Sequence, residues 1–129
     1  MIEELPLAKQ LELVFREIRG ELHSMASGCV FVQIRNNTIG KFGVKHNPLE
    51  SRDGRLESEQ GGLTDAQQKT LRQMALDSLR YKSHWTHGEI YYEFAVRKNM
   101  LCVSIQFESS YNMANVVSHY EPKKAYGLA

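Results

Sequence analysis

The clearest hydrophobic pattern in the chain is an alternation between Glu89 and Glu108. Apolar and more polar residues alternate on both sides of Lys98-Asn99, which is typical of two strands that each bury one face. A one-residue slip would turn a whole strand inside out. A two-residue loop at Lys98-Asn99 therefore predicts one register, although lysine is a poor residue for a type I′ turn. The pairs are Val96 with Leu101, Phe94 with Val103, Tyr92 with Ile105, and Ile90 with Phe107.

Helical spacing dominates residues 5–25. One apolar stripe runs along this segment, with charged residues on the other side, and Pro6 suits the first turn of a helix. The stripe could form a coiled coil or bind a partner, but a helix that covers a sheet has the same pattern, and we favour the latter. The stripe consists of Leu7, Leu11, Val14, Phe15, Ile18, Leu22 and Met25.

A second hairpin is predicted from Cys29 to Arg35 and from Ile39 to Lys45. A three-residue loop pairs Val30 with Val44, Val32 with Phe42, and Ile34 with Gly40, whereas a two-residue loop would place Val32 opposite Lys41. We therefore expect the three-residue loop. Gly40 and Gly43 suggest a bulge or close backbone packing in the return strand.

A polar, turn-rich connection over residues 47–63 links this hairpin to a second helix. At about sixteen residues it exceeds a usual connection, so it is either a mobile functional loop or a disordered excursion, and we interpret it as solvated. Thr64 and Gln67 predict a capping box at the start of the helix, which should end near Ser83. Its narrower apolar stripe contains Leu71, Met74, Ala75 and Leu79.

These elements predict an α+β fold in two layers, in the order α-β-β-α-β-β-(tail). An antiparallel sheet of four to five strands would be covered on one face by both helices. We expect a single domain over 1–129, made of helix-plus-hairpin units at about 5–45 and 64–108. Residues 109–120 fit either a strand or a helix that Pro122 would end, and residues 121–129 form a loose tail. In size and element order the chain resembles the type III secretion chaperones, a similarity of architecture that no residue motif carries.

The other face of this sheet would carry a mixed set of side chains. Tyr91 or Ala95 on that face could belong to an oligomer interface. The predicted set is Tyr91, Glu93, Ala95, Arg97, Cys102, Ser104, Gln106 and Glu108.

Composition excludes several classes of protein. Apolar residues make up 42% of the chain and charged residues 24%, as in ordinary globular proteins, and the net charge of +1 produces no field that would attract nucleic acid or anionic membranes. No apolar run approaches the roughly 20 residues that span a bilayer. The acidic N-terminus lacks the pattern of a signal peptide, so we expect a cytoplasmic protein in which Cys29 and Cys102 are structural thiols.

Unusual side chains concentrate at His84-Trp85-Thr86-His87. Two histidines three residues apart could bind zinc, which would need two further ligands, but a histidine at a helix end and a tryptophan packed on the core explain the same residues. Trp85 with Tyr91 could also anchor a partner or a small ligand. The candidate ligand- or partner-binding residues are Trp85, Tyr91, Arg97, His84 and His87.

No catalytic, phosphate-binding or dinucleotide motif occurs in the chain, so we assign no catalytic residue, metal or cofactor. The first hypothesis is a non-enzymatic cytosolic protein that binds another protein, as a homodimer. The alternative is a small-ligand or metal-binding protein, which could be an enzyme, centred on His84–His87. A third hypothesis places nucleic acid along the second helix, at Lys69, Arg72, Arg80 and Lys82.

Overall fold

The computed structural model describes the backbone of residues 5–128 and the side-chain surroundings of residues 5–120. A single 3-10 turn, Leu79–Tyr81, follows the third helix. The other elements are α1 (Leu7–Glu17), α2 (Arg19–Leu22), β1 (Ser27–Arg35), β2 (Thr38–Lys45), β3 (Glu50–Arg52), β4 (Arg55–Glu57), α3 (Asp65–Ser78), β5 (His87–Arg97), β6 (Met100–Ser109) and α4 (Met113–Leu128).

The predicted two-layer α+β architecture is confirmed. Four antiparallel strands form one sheet in the order β2-β1-β5-β6, so each hairpin contributes one central and one edge strand. Residues of α1 and α3 share one hydrophobic core with the inward side chains of the sheet. The short strands β3 and β4 form a separate two-stranded ribbon.

The β5–β6 hairpin has the predicted register in full. Val96 pairs with Leu101 and Ile90 with Phe107, and Lys98 and Asn99 form the two-residue loop. Both loop residues have positive φ, 52° and 63°, as a type I′ turn requires. The hydrophobic pairing therefore dominates over the poor turn propensity of lysine.

The β1–β2 hairpin corrects the predicted loop. Its turn has two residues, Asn36 and Asn37, with φ of 51° and 59°, and Ile34 pairs with Ile39 rather than with Gly40. A β-bulge between Val32 and Ile34 absorbs the extra residue and restores the predicted pairs farther along the strands. Asparagine tolerates the positive φ of a two-residue turn, so the extra residue is accommodated by the bulge in the strand and not by a longer loop.

Gly43 packs closely against its neighbour, as the sequence suggested. A Cβ atom at Gly43 would lie 2.9 Å from the ring of Phe31, its partner across the ladder. The absence of a side chain at Gly43 thus provides the space that the Phe31 ring occupies.

The first helix is interrupted, whereas the sequence predicted one helix over residues 5–25. The backbone leaves helical geometry at Ile18, with φ −94° and ψ 7°, and α2 follows as a single turn. Gly20 weakens helix formation here by about 1 kcal/mol relative to alanine. Ile18, Leu22 and Met25 are all buried, so the apolar stripe still faces the core on both sides of the break.

The capping box of α3 is confirmed. The Gln67 backbone N–H donates to Thr64 Oγ1 at 3.1 Å, and the Thr64 N–H donates to Gln67 Oε1 at 3.0 Å. Leu71 and Ala75 are buried in the core, but Met74 is 39% exposed, so the apolar stripe is narrower than predicted. The α-helix ends at Ser78, five residues before the predicted end at Ser83.

Residues 47–61 of the connection are exposed, as predicted, but they contain the β3–β4 ribbon, and Leu63 at the end of the connection is buried in the core. Every residue of β3 and β4 is exposed, so no apolar alternation marks these strands in the sequence. Asp53-Gly54 forms their turn, with φ of 51° and 77°. The end of the connection is anchored because the Leu63 N–H donates to the Leu22 carbonyl at 3.0 Å.

The segment after β6 is helical. Strand β6 ends at Ser109 and α4 begins at Met113, which decides between the two alternatives for residues 109–120. The helix continues through Pro122 rather than ending there, since a proline can bend a helix without terminating it. Side chains 113–120 are exposed, and the looseness of residues 121–129 stays a prediction.

Candidate functional site

One face of the four-stranded sheet points away from the core that the sheet shares with α1 and α3, and we call it the open face. Its residues alternate along each strand with those that face the core. They are Thr38, Lys41, Gly43 and Lys45 on β2, Ser27, Cys29, Phe31, Gln33 and Arg35 on β1, His87, Glu89, Tyr91, Glu93, Ala95 and Arg97 on β5, and Met100, Cys102, Ser104, Gln106 and Glu108 on β6.

The centre of the open face is aromatic. Phe31 and Tyr91 are register partners on the two central strands, and both are half-buried. The Tyr91 hydroxyl donates to Glu89 Oε2, and Gln33 Nε2 donates to Glu89 Oε1 at 3.0 Å. The Lys45 ammonium lies 5.9 Å from the centroid of the Tyr91 ring. These contacts hold the Tyr91 ring in a defined arrangement.

Charge is divided between the two halves of the open face. The hairpin β1–β2 contributes cationic side chains along one side of the sheet, Arg35, Lys41 and Lys45. The hairpin β5–β6 contributes the carboxylates, Glu89, Glu93 and Glu108, together with Arg97 at its turn end. The strand order β2-β1-β5-β6 therefore places a basic half beside a mainly acidic half.

Both cysteines are free thiols on the open face. Burial raises the pKa of the Cys29 thiol, and the neighbouring Glu93 carboxylate adds to the rise, whereas Lys45 and a backbone hydrogen bond at Tyr92 lower it. The net rise keeps Cys29 in the protonated, weakly nucleophilic form near neutral pH. This agrees with the interpretation of Cys29 as a structural thiol.

Trp85 does not lie on the open face. Its side chain is 1% exposed and packs edge-to-face on Phe107, with ring centroids 5.6 Å apart. Its backbone N–H donates to Asn37 Oδ1 at 2.9 Å, and the Asn37 N–H donates to the Trp85 carbonyl at 2.8 Å. Trp85 thus joins the β1–β2 turn to the start of β5, and its burial does not fit the role of an exposed aromatic anchor.

The two candidate histidines differ in their surroundings. His84 is exposed in the segment before β5, whereas His87 is half-buried at the first position of β5, opposite Arg35. Nowhere in the described part of the chain do three or more His, Cys, Asp or Glu side chains converge on a point that could hold a metal. Among the described residues, the further ligands that zinc needs therefore do not accompany this histidine pair.

The structure brings three of the predicted site residues, Tyr91, Arg97 and His87, onto the open face. It separates them along β5, with His87 at the start, Tyr91 near the middle and Arg97 at the end. They cannot converge on one small ligand, but they can contribute to one extended surface.

A cavity of about 510 Å³ opens where the end of the open face meets the connection. Ala95, Arg97 and Cys102 contribute to its wall. At its rim the Ser27 hydroxyl donates to Glu59 at 2.7 Å and accepts a hydrogen bond from Asn47. Ser27 lies 20 positions from Asn47 and 32 positions from Glu59 in sequence, so no local motif could reveal the cavity.

The described lining of the cavity contains one thiol, Cys102, and no histidine that could act as its base. Its carboxylates, Glu59 and Glu93, occur together with the guanidinium of Arg97. The surface with the most consistent organisation is therefore the open face itself.

A comparison with protein-family models, curated proteins and solved structures finds no match to this chain. Within residues 5–128, no helix is both long and apolar enough to cross a membrane.

Proposed function

We propose that this protein is a non-enzymatic binding protein that forms a homodimer through its open face. The division of charge across that face carries the proposal. Helices α1 and α3 both pack on the opposite side of the sheet, and the contacts of the aromatic centre among the described residues are with other residues of the sheet. An uncovered sheet face with a central aromatic pair is suited to packing against a second sheet.

The charge pattern selects one way to pair two copies. A two-fold axis parallel to the strands places β2 of one copy over β6 of the other, and β1 over β5. Lys41 then lies opposite Glu108, and Phe31 opposite Tyr91. A two-fold axis across the strands would instead stack β2 on β2 and bring the lysines together, which like-charge repulsion disfavours.

The expected interface is small. A face of four strands with about nine residues each measures roughly 30 by 18 Å, or roughly 500 Å² per copy. Its total area of about 1,000 Å² lies at the low end for specific complexes. We therefore expect a weak dimer, whose dissociation must be followed over micromolar to millimolar concentrations.

Charge reversal tests the pairing. Lys41→Glu and Glu108→Lys should each raise the dimer dissociation constant by at least tenfold. In each variant homodimer, residues of like charge face each other at both of the 41–108 contacts. An equimolar mixture of the two variants should form a heterodimer in which both contacts are again between opposite charges. Analytical ultracentrifugation and native mass spectrometry measure the two results.

Lys98→Glu is the matched control, because it makes the same charge reversal in an exposed turn. It should leave the dissociation constant unchanged. A wild-type protein that stays monomeric at 1 mM would contradict the proposal, as would single variants that dimerise as well as the control.

A further inference from the structure

Among the described residues, no strand pairs with the outer edge of β6, which lies beside half-buried apolar side chains. In a two-residue hairpin the residues flanking the loop, Arg97 and Met100, exchange hydrogen bonds, so the even residues of β6 bond to β5. Ser110, the next even-numbered residue after β6, follows the same pattern, because its N–H donates to the His87 carbonyl of β5 at 2.9 Å. The backbone groups of the odd residues therefore point to the edge. These residues are Leu101, Val103, Ile105 and Phe107, whose side chains are half-buried.

The two edges of the sheet differ in their protection. Edge strand β2 contains two lysines, two glycines and a bulge, which are features that prevent strand addition. Edge strand β6 is ten residues long and has no proline, lysine or register shift, and Glu108 is its only charged residue. Because exposed regular edges promote aggregation, an edge of this kind needs an occupant.

A second copy is a poor occupant for this edge if the open-face dimer forms. The axis of that dimer runs along the strands through the middle of the face, whereas pairing β6 with β6 needs an axis perpendicular to the sheet at its edge. The two axes do not intersect. Two such contacts together generate an open filament instead of a closed assembly.

We propose that the β6 edge binds an extended segment of a different protein by strand addition. The segment would hydrogen-bond to the odd residues of β6 and alternate apolar with polar side chains. Its apolar residues would pack on the core side, beside Val103 and Ile105, and a cationic residue near one end would complement Glu108. The exclusion of a second copy depends on the proposed open-face dimer. The exposed backbone edge of β6 is present whether or not that dimer forms.

The test uses the full chain and a synthetic nine-residue probe of alternating threonine and valine with lysine at each end. Fluorescence anisotropy of the labelled probe should show saturable binding at one probe per protomer. Hydrogen exchange at Leu101, Val103 and Ile105 should slow by at least tenfold when the probe is bound. The same probe with N-methyl groups on alternate amides keeps its side chains but loses the hydrogen bonds to β6, and should bind at least tenfold more weakly.

Lys41→Glu separates this inference from the proposed dimer, because it changes the open face and leaves β6 intact. It should retain the affinity for the probe. Equal binding of the methylated and unmethylated probes would overturn strand addition. A dimer that persists in the Lys41→Glu and Glu108→Lys variants but dissociates when the probe is added would show that β6 pairs with β6 of a second copy. That result would overturn both the proposed binding of a different protein at β6 and the proposed open-face dimer.

Discussion

At the residue scale, Tyr92 brings a hydroxyl group into the centre of the core. Its side chain is fully buried, and its ring packs edge-to-face on Phe15 with centroids 6.0 Å apart. No atom in the described chain meets hydrogen-bond geometry with its hydroxyl. The nearby Ser78 Oγ donates to the Ala75 carbonyl at 2.7 Å. Burial raises the pKa of the Tyr92 phenol, and the proximity of Ser78 offsets only part of the rise.

Tyr92→Phe should therefore stabilise the protein by about 1 kcal/mol at pH 7, because it removes an unsatisfied buried hydroxyl and keeps the ring. The pKa of this phenol is higher in the folded than in the unfolded chain. Its contribution to stability is thus complete below the ordinary tyrosine pKa of about 10 and declines as the pH rises above it.

Urea unfolding at pH 7 and pH 11 measures both effects. The wild-type protein should lose more stability than Tyr92→Phe between these pH values, and the difference isolates Tyr92 from other titrating groups. A variant that is less stable than wild type at pH 7 would mean that the hydroxyl has a partner.

At the scale of elements, the β5–β6 turn shows a conflict between local propensity and strand pairing. Lys98 holds a left-handed conformation that β-carbon sterics disfavour, because the paired strands leave only two residues for the turn. Asparagine adopts this conformation more readily, since its short side chain can hydrogen-bond locally.

Lys98→Asn should stabilise the protein by about 0.5–1 kcal/mol, because asparagine adopts the positive φ of this turn at a lower free-energy cost than lysine. Lys98→Gln removes the same charge without favouring positive φ, and should leave the free energy of unfolding unchanged. Thermal unfolding of the three proteins compares them directly. Equal stabilisation by both substitutions would attribute the effect to charge rather than to the turn.

At the scale of the whole molecule, the apolar side chains of the first turns of α4 lie outside the shared core. Its described side chains are all exposed, including an apolar group at helical spacing made of Met113, Val116 and Val117. None of these residues belongs to the core formed by the sheet, α1 and α3. The four-stranded sheet is thus complete without the C-terminal helix.

Met113→Ser, Val116→Ser and Val117→Ser should each change the free energy of unfolding by less than about 0.5 kcal/mol, because all three side chains are exposed. The open-face dimer should persist, because none of its paired residues lies in α4. Chemical unfolding and analytical ultracentrifugation test the two expectations. A loss of more than 2 kcal/mol would show that α4 packs on the domain.

The sequence by itself determined the elements whose information is local. The register of β5 with β6 follows from apolar alternation together with the two-residue loop at Lys98-Asn99, because a one-residue slip would expose a whole apolar face. The core side of α1 and the capping box at Thr64 follow in the same way from helical spacing and from a four-residue pattern. Together these features were enough to predict two layers, since amphipathic helices and half-apolar strands have few other ways to bury their apolar sides.

Only the tertiary structure decided which residues meet across elements. Trp85 is a core residue because it packs against Asn37 and Phe107, which are far away in sequence. No local sequence pattern predicts these contacts. The β3–β4 ribbon is exposed on every side, so its strands lack the apolar alternation that makes strands recognisable. The division of charge on the open face depends on β1 lying beside β5. Strand order is set by packing between hairpins, whereas alternation within each hairpin specifies only which side chains share a face.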